Sequence, residues 1–208
     1  NLIEGRTLFI KSKERKQICQ DLAFIMGAFH DLGKATSYFQ IYLESRGEKI
    51  VGPKSHALIA ALFVKEISKT YLASTSLSDF EQQLFAHFTF TAVKRHHGNL
   101  DDFEAEMYIE TKHTELQDQV QVFDESGIQN IIEYFNSALK LDYSFQDFKK
   151  YISSKAYLKD MPEFYDNNIA FGEFEELPIS TKIEYFYFHQ LLFGGLLLSD
   201  KRDVILEE

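Results

Sequence analysis

Apolar and polar positions alternate with a helical period through most of the chain. Ile18, Leu22, Ile25, Met26 and Phe29 form an apolar stripe that predicts a helix over 15–29, with Gly33 a plausible stop just beyond. Residues 35–54 read as irregular or partly helical, punctuated by Gly47, Gly52 and Pro53. Ser55 is a good N-cap for a helix holding Ala57, Ala60, Ala61, Val64 and Ile67, whose small residues would let it lie close to a neighbour. Ser78-Asp79-Phe80-Glu81 has the form of a capping box, and Leu84, Phe85, Phe88 and Ala92 carry that helix toward Gly98. Leu100 to Val122 reads as an acidic helix or loop, followed by helices over 128–139 and 144–158. Pro162 and Pro178 mark 160–180 as a loop. A last helix from Thr181 to Asp200 is dense in apolar residues, so it is expected to cross the centre of the core, with Gly194-Gly195 permitting close contact. The pattern is all-α.

Composition narrows this without changing it. At 208 residues one domain with a sizeable core is the expected organisation, and three prolines, ten glycines, 20 Phe and 11 Tyr fit a helical, aromatic interior. Cys19 is the lone cysteine, so no internal disulfide forms and a reducing cytoplasm is expected. No signal-peptide pattern opens the chain, although a truncated start would hide one. The most apolar run, 191–198, is far too short to span a bilayer, and the chain is expected to be soluble.

The candidate chemistry sits at helix ends. His30-Asp31 closes the first apolar stripe, His56 lies at the start of another helix, His96-His97 closes the capping-box helix and Asp200 closes the last. One such dipeptide is common by chance and often only a solvated cap. Several helix ends carrying imidazoles and carboxylates form a pattern, because neutral nitrogens and charged oxygens converging on one place can hold divalent cations. His87 reads better as a packed or surface histidine than a ligand, His189 as a core histidine with a hydrogen bond, and His113 as solvent-facing. Lys34 is either a solvated helix-end cation or a group able to neutralise a phosphate oxygen. The net charge of -10 argues against a chain wrapped in nucleic acid. Yet Lys34, Lys54, Lys65, Lys94 and Arg95 are expected to cluster around the candidate donors, while acids crowd 101–125 and 160–176. Weak, metal-dependent engagement of a strand is therefore expected, with a partner delivering it.

The order His30-Asp31-Leu32-Gly33-Lys34, Ser55-His56, His96-His97-Gly98, Ser199-Asp200 resembles the HD-domain metal-dependent phosphohydrolases. Within them it looks most like the HD nuclease of the CRISPR type I helicase-nuclease. The resemblance covers residues 1 to about 205 and implies a single HD-domain helical bundle over 1–208. It implies that Asp31 bridges two metal ions, that His30 and Asp200 hold one with a histidine from an upstream helix, and that His56, His96 and His97 hold the other. Residues 1–29 contain no histidine. Asn1–Arg6 reads like the continuation of the upstream helix, so the chain is expected to begin just after that residue. Asp31 and Lys34 are the expected catalytic groups. Mixed nitrogen and oxygen donors suit two ions of Mn, Fe, Co or Ni better than Mg. The implied partners are single-stranded DNA, an ATP-driven helicase, fused or separate, and an RNA-guided surveillance complex, with no membrane. Two other readings stay open: a hydrolase of small nucleotides, and a non-catalytic docking domain with an incomplete metal site.

Overall fold

A computed structural model of the chain describes residue 10 and residues 12–206, apart from 50, 54 and 110–112. The expected helix over Asn1–Arg6 and the position of Lys54 lie outside the described residues. The described elements are helical: α1 (Lys13–Phe29), α2 (Ser37–Glu44), α3 (Ala57–Leu72), α4 (Asp79–Lys94), α5 (Phe103–Met107), α6 (His113–Gln121), α7 (Glu125–Leu139), α8 (Phe145–Ser154), α9 (Tyr157–Phe164), α10 (Glu173–Glu176) and α11 (Ile179–Leu206). The bundle is all-α, as its periodicity dictates. No helix among the described residues is long and apolar enough to cross a membrane.

The frame of the bundle is α1, α3, α4 and α11, and α3 packs most extensively against α4. Ala60 and Ala61 are fully buried on α3, and small side chains there let the two axes approach. Ser12 caps α1 and a full Ser78/Glu81 capping box starts α4. At the end of the bundle away from the candidate donors, Arg15 pairs with Glu81 and with Glu184 (3.0 Å), and Tyr185 donates to Glu81 (2.8 Å). One half-buried polar knot thus joins α1, α4 and α11; His30 follows α1 and His96 lies beyond α4, while Asp200, expected to close the last helix, sits inside α11, which runs on to Leu206.

Several expectations from the chain pattern are corrected. The N-cap of α3 is His56 rather than Ser55, and its side chain makes no capping bond. Its ring is turned toward Asp31, while Gln119 of α6 holds the Ser55 carbonyl at 2.7 Å. The acidic stretch read as a helix or loop holds two helices among its described residues, α5 and α6. The helix expected over 144–158 breaks at Lys155, whose backbone is left-handed (φ 61°). The segment 160–180 is largely helical despite its prolines: α9 contains Pro162, a π-helical turn follows over Tyr165–Ala170, and α10 comes next. Burial decides this, because Tyr157, Met161 and Phe164 recur at helical spacing and are all buried.

α11 starts at Ile179, with the Pro178 carbonyl accepting from Thr181 and Lys182, so Thr181 is not its cap. Nor does it cross the centre of the core. Tyr185, Phe188, Leu192 and Leu196 face inward, whereas Ile183, Phe186, Tyr187 and Leu198 are exposed. A Cβ on Gly194 would meet nothing within 4 Å, so that glycine makes no close helix contact.

Candidate metal centre

α1 ends at Phe29, and His30 caps it by donating its backbone N–H to Met26. The chain then tightens into a 3-10 turn over Leu32–Ala35, which turns Asp31 back across the end of the bundle. Gly33 makes this possible. A Cβ there would lie 2.5 Å from the His56 carbonyl oxygen and 2.6 Å from its Cα, so only glycine lets the Asp31 turn and the start of α3 touch. The buried Thr36 hydroxyl donates to the Gly33 carbonyl (2.9 Å) and also caps α2.

The structure brings together all six residues singled out as metal donors. Donor atoms of His30, Asp31 and Asp200 lie within 4.8 Å of one another, as do those of Asp31, His56, His96 and His97, so Asp31 belongs to both groups. His30 Nε2 is 3.4 Å from Asp31 Oδ2 and 3.6 Å from Asp200 Oδ1. His56 Nε2 and His96 Nε2 approach Asp31 Oδ1 at 3.4 and 3.6 Å. His56 and His97 meet through their Nε2 atoms at 2.8 Å. Lys34 Nζ sits 2.6 Å from Asp31 Oδ2.

Hydrogen bonding fixes which nitrogens are free. His30 Nδ1 lies 3.0 Å from the Gly27 carbonyl and His96 Nδ1 2.6 Å from the Val93 carbonyl. A carbonyl can only accept, so both Nδ1 atoms carry the hydrogen and both Nε2 atoms of the neutral rings present lone pairs. Those lone pairs face carboxylate oxygens. His30 Nε2, His96 Nε2 and Asp31 Oδ1 are buried without a hydrogen-bond partner. Acceptors converging on acceptors are satisfied only by a proton or a cation, and imidazole bonded through Nδ1 to a carbonyl is a usual form of a metal-bound histidine. The donor set fits divalent metal.

The electrostatics agree. Burial would raise Asp31, but His96, Lys34 and His30 outweigh it and hold the carboxyl well below the usual carboxylate range. Burial pushes His56 down to about 4. Burial and then the neighbouring His96 depress His97. For His96 the effect of burial is overcome by the Asp31 carboxylate, and its pKa is raised.

The expected basic cluster does not form around this centre. Lys65 is buried and paired with Glu66 (3.0 Å), and Lys94 and Arg95 are both engaged by Glu106. Among the described lysines and arginines of that set, only Lys34 points at the donors. His113 is not solvent-facing: its Nδ1 lies 2.6 Å from the Tyr157 hydroxyl. His87 and His189 are packed, the first against the Gln83 carbonyl (2.8 Å) and the second against the Thr91 hydroxyl (2.8 Å). Thr36 and Gln119 carry no signal in the sequence, and Gly33 signals only a helix stop, because each acts through residues that only the fold brings near.

A family model described as "Cas3, HD domain" matches residues 3–156 of the 208. The chain belongs to the Cas3 HD-domain family, a family of metal-dependent hydrolases of the HD type. No curated protein and no solved structure matches it.

Proposed function

We propose that the chain is a single HD nuclease domain that hydrolyses phosphodiester bonds of single-stranded DNA with two divalent transition-metal ions, in the setting of CRISPR interference. The observation that carries this reading is the pair of donor groups sharing Asp31, with three buried polar atoms left without partners. His30, Asp31 and Asp200 would hold one ion, Asp31, His56, His96 and His97 the other. Bound together, two such ions supply a nucleophile at neutral pH and cover the charge on the attacking and leaving oxygens.

The protein's own groups do the rest. Asp31 provides the shared negative charge, and its depressed pKa keeps it ionised at every working pH. The carbonyls of Gly27 and Val93 orient the His30 and His96 rings. Lys34, with 37% of its side chain exposed beside Asp31, lies where an entering phosphate oxygen would be neutralised. Among the described residues of the expected basic set only Lys34 faces the centre, which suits a strand handed over by a helicase, fused or separate, that an RNA-guided complex recruits. Mn, Fe, Co or Ni match the mixed donors better than Mg.

The test is cleavage of matched single-stranded and duplex DNA with each metal supplied in turn. Cleavage of the single strand, much weaker on duplex and abolished by chelator, is expected. Equal cutting of both, or activity unaffected by chelator, overturns the proposal.

A further inference from the structure

Glu106 is a carboxylate with 1% of its side chain exposed, on a helix of only five residues. A buried charge is costly unless paired, and Glu106 is paired twice. Its Oε1 accepts from Arg95 Nε, its Oε2 lies 2.6 Å from Lys94 Nζ, and Lys94 also reaches its backbone carbonyl at 3.4 Å. Arg95 is held from its other side by Asp101 at 2.9 Å. Lys94 and Arg95 are the two residues that immediately precede His96 and His97. The chain therefore runs from the last turn of α4 through the two histidines to α5, then is tied back by Glu106 to the turn it left.

We propose that Glu106 is a positioning residue for His96 and His97. It touches neither donor group. By clamping Lys94 and Arg95 it fixes the end of α4, on which the aim of His96 Nε2 at Asp31 depends, and it neutralises cations that would otherwise stand beside a cation site. A five-residue helix cannot hold this geometry alone. Its own anchors are the Asp102 cap, which accepts from the Glu104 amide at 2.8 Å, and the buried Met107.

This rests on the two-ion reading, so the test has one readout that uses metal and one that does not. Cobalt(II) is titrated into the metal-stripped chain, and the imidazole resonances of the metal-free chain are recorded by NMR. Glu106→Gln, which keeps the volume but loses the charge, should retain its helical content. At least one macroscopic step of its cobalt binding should weaken about 10-fold or more, the scale of losing an outer-shell partner. In the metal-free variant the His96 and His97 resonances should shift while those of His30 stay. Glu106→Asp should restore part of both, and Asp101→Asn, at the exposed edge of the network, should change neither.

A folded Glu106→Gln with parental cobalt affinities and unmoved His96 resonances overturns the proposal. If Glu106→Gln does not fold, Arg95→Gln opens the clamp from its half-exposed side, and unchanged resonances there overturn it equally. A parent chain that binds fewer than two cobalt ions counts against the two-ion reading, while the resonances still decide the clamp.

Discussion

His87 and His96 stand nine residues apart, the first inside α4 and the second two residues past its end. They share more than their residue type. Both are buried, both lie near a backbone carbonyl through Nδ1, and both leave Nε2 without a hydrogen-bond partner. Around His87 stand Lys65 and Lys69, and its ring lies flat on Phe164 with centroids 4.3 Å apart. Burial, then those lysines, push it well below its ordinary pKa. Around His96 stand Asp31 and three further imidazoles, and its pKa rises instead. An unsatisfied buried nitrogen is thus not by itself a metal ligand. What distinguishes the two ends is convergence: no donor group forms at His87 among the described residues, whereas His96 joins three others.

The strongest way to break this comparison is to remove the residue on which the convergence depends. Asp31→Ala should reduce cleavage to background and resist added metal. His56→Ala and His97→Ala should each lose activity at least on the scale of about 10–100-fold that follows loss of an outer-shell partner, and recover partly in excess cation. The measurement is cleavage rate against metal concentration. If Asp31→Ala matches the histidine variants, Asp31 does not serve both groups.

Next in size is Gly33→Ala, which touches no donor atom. Its Cβ would collide with the His56 backbone, where no flexible side chain can give way. A cost of about 1–3 kcal/mol from overpacking is expected, with weaker metal binding at the His56 group. Thermal unfolding and metal titration check it, and parental values in both would show that the two turns separate freely.

Acid should sharpen the contrast further. His56 folded has a pKa of about 4 against an ordinary 6.5, so between those values the unfolded chain binds the additional proton. Its contribution is present above pH 6.5 and lost as the pH falls toward 4. His96 runs the other way, contributing below 6.5 and losing that contribution as the pH rises through its raised value. For the metal-stripped chain, His56→Gln should flatten the fall in Tm between pH 6.5 and 4.5, by about 2–4 °C for each kcal/mol involved. An unchanged slope would remove His56 as its source.

The smallest effect belongs to His87→Leu. It deletes an unpartnered buried nitrogen along with a ring stack, so stability should move by no more than about 1.5 kcal/mol. Metal stoichiometry should stay the same. A lost ion would place His87 among the ligands.

This pairing also shows what the chain pattern could reveal. Which histidines belong to apolar stripes is visible in the spacing; the periodicity of 15–29 locates α1 to within two residues and the Ser78–Glu81 signature the start of α4, although α4 ends at Lys94, short of the expected His96-His97. Prolines misled where burial outweighed them, as at Pro162. Lys65, Lys94 and Arg95 misled for another reason: closeness along the chain says nothing of direction in space, and all three turn toward glutamates. Gly33 reads from sequence as a stop signal, and its contact with His56, twenty-three positions later, is visible only once two loops are folded together.

The sharing of Asp31 carries a last consequence. Two groups with a common member cannot be assigned separate affinities, because occupancy of one alters the charge available to the other. By linkage the influence is reciprocal: whatever the first binding event does to the second, the second does to the first by the same factor. On the proposed two-ion reading, a titration of this centre should therefore yield macroscopic constants that belong to the pair, just as coupled protons do, with neither constant the property of a single site.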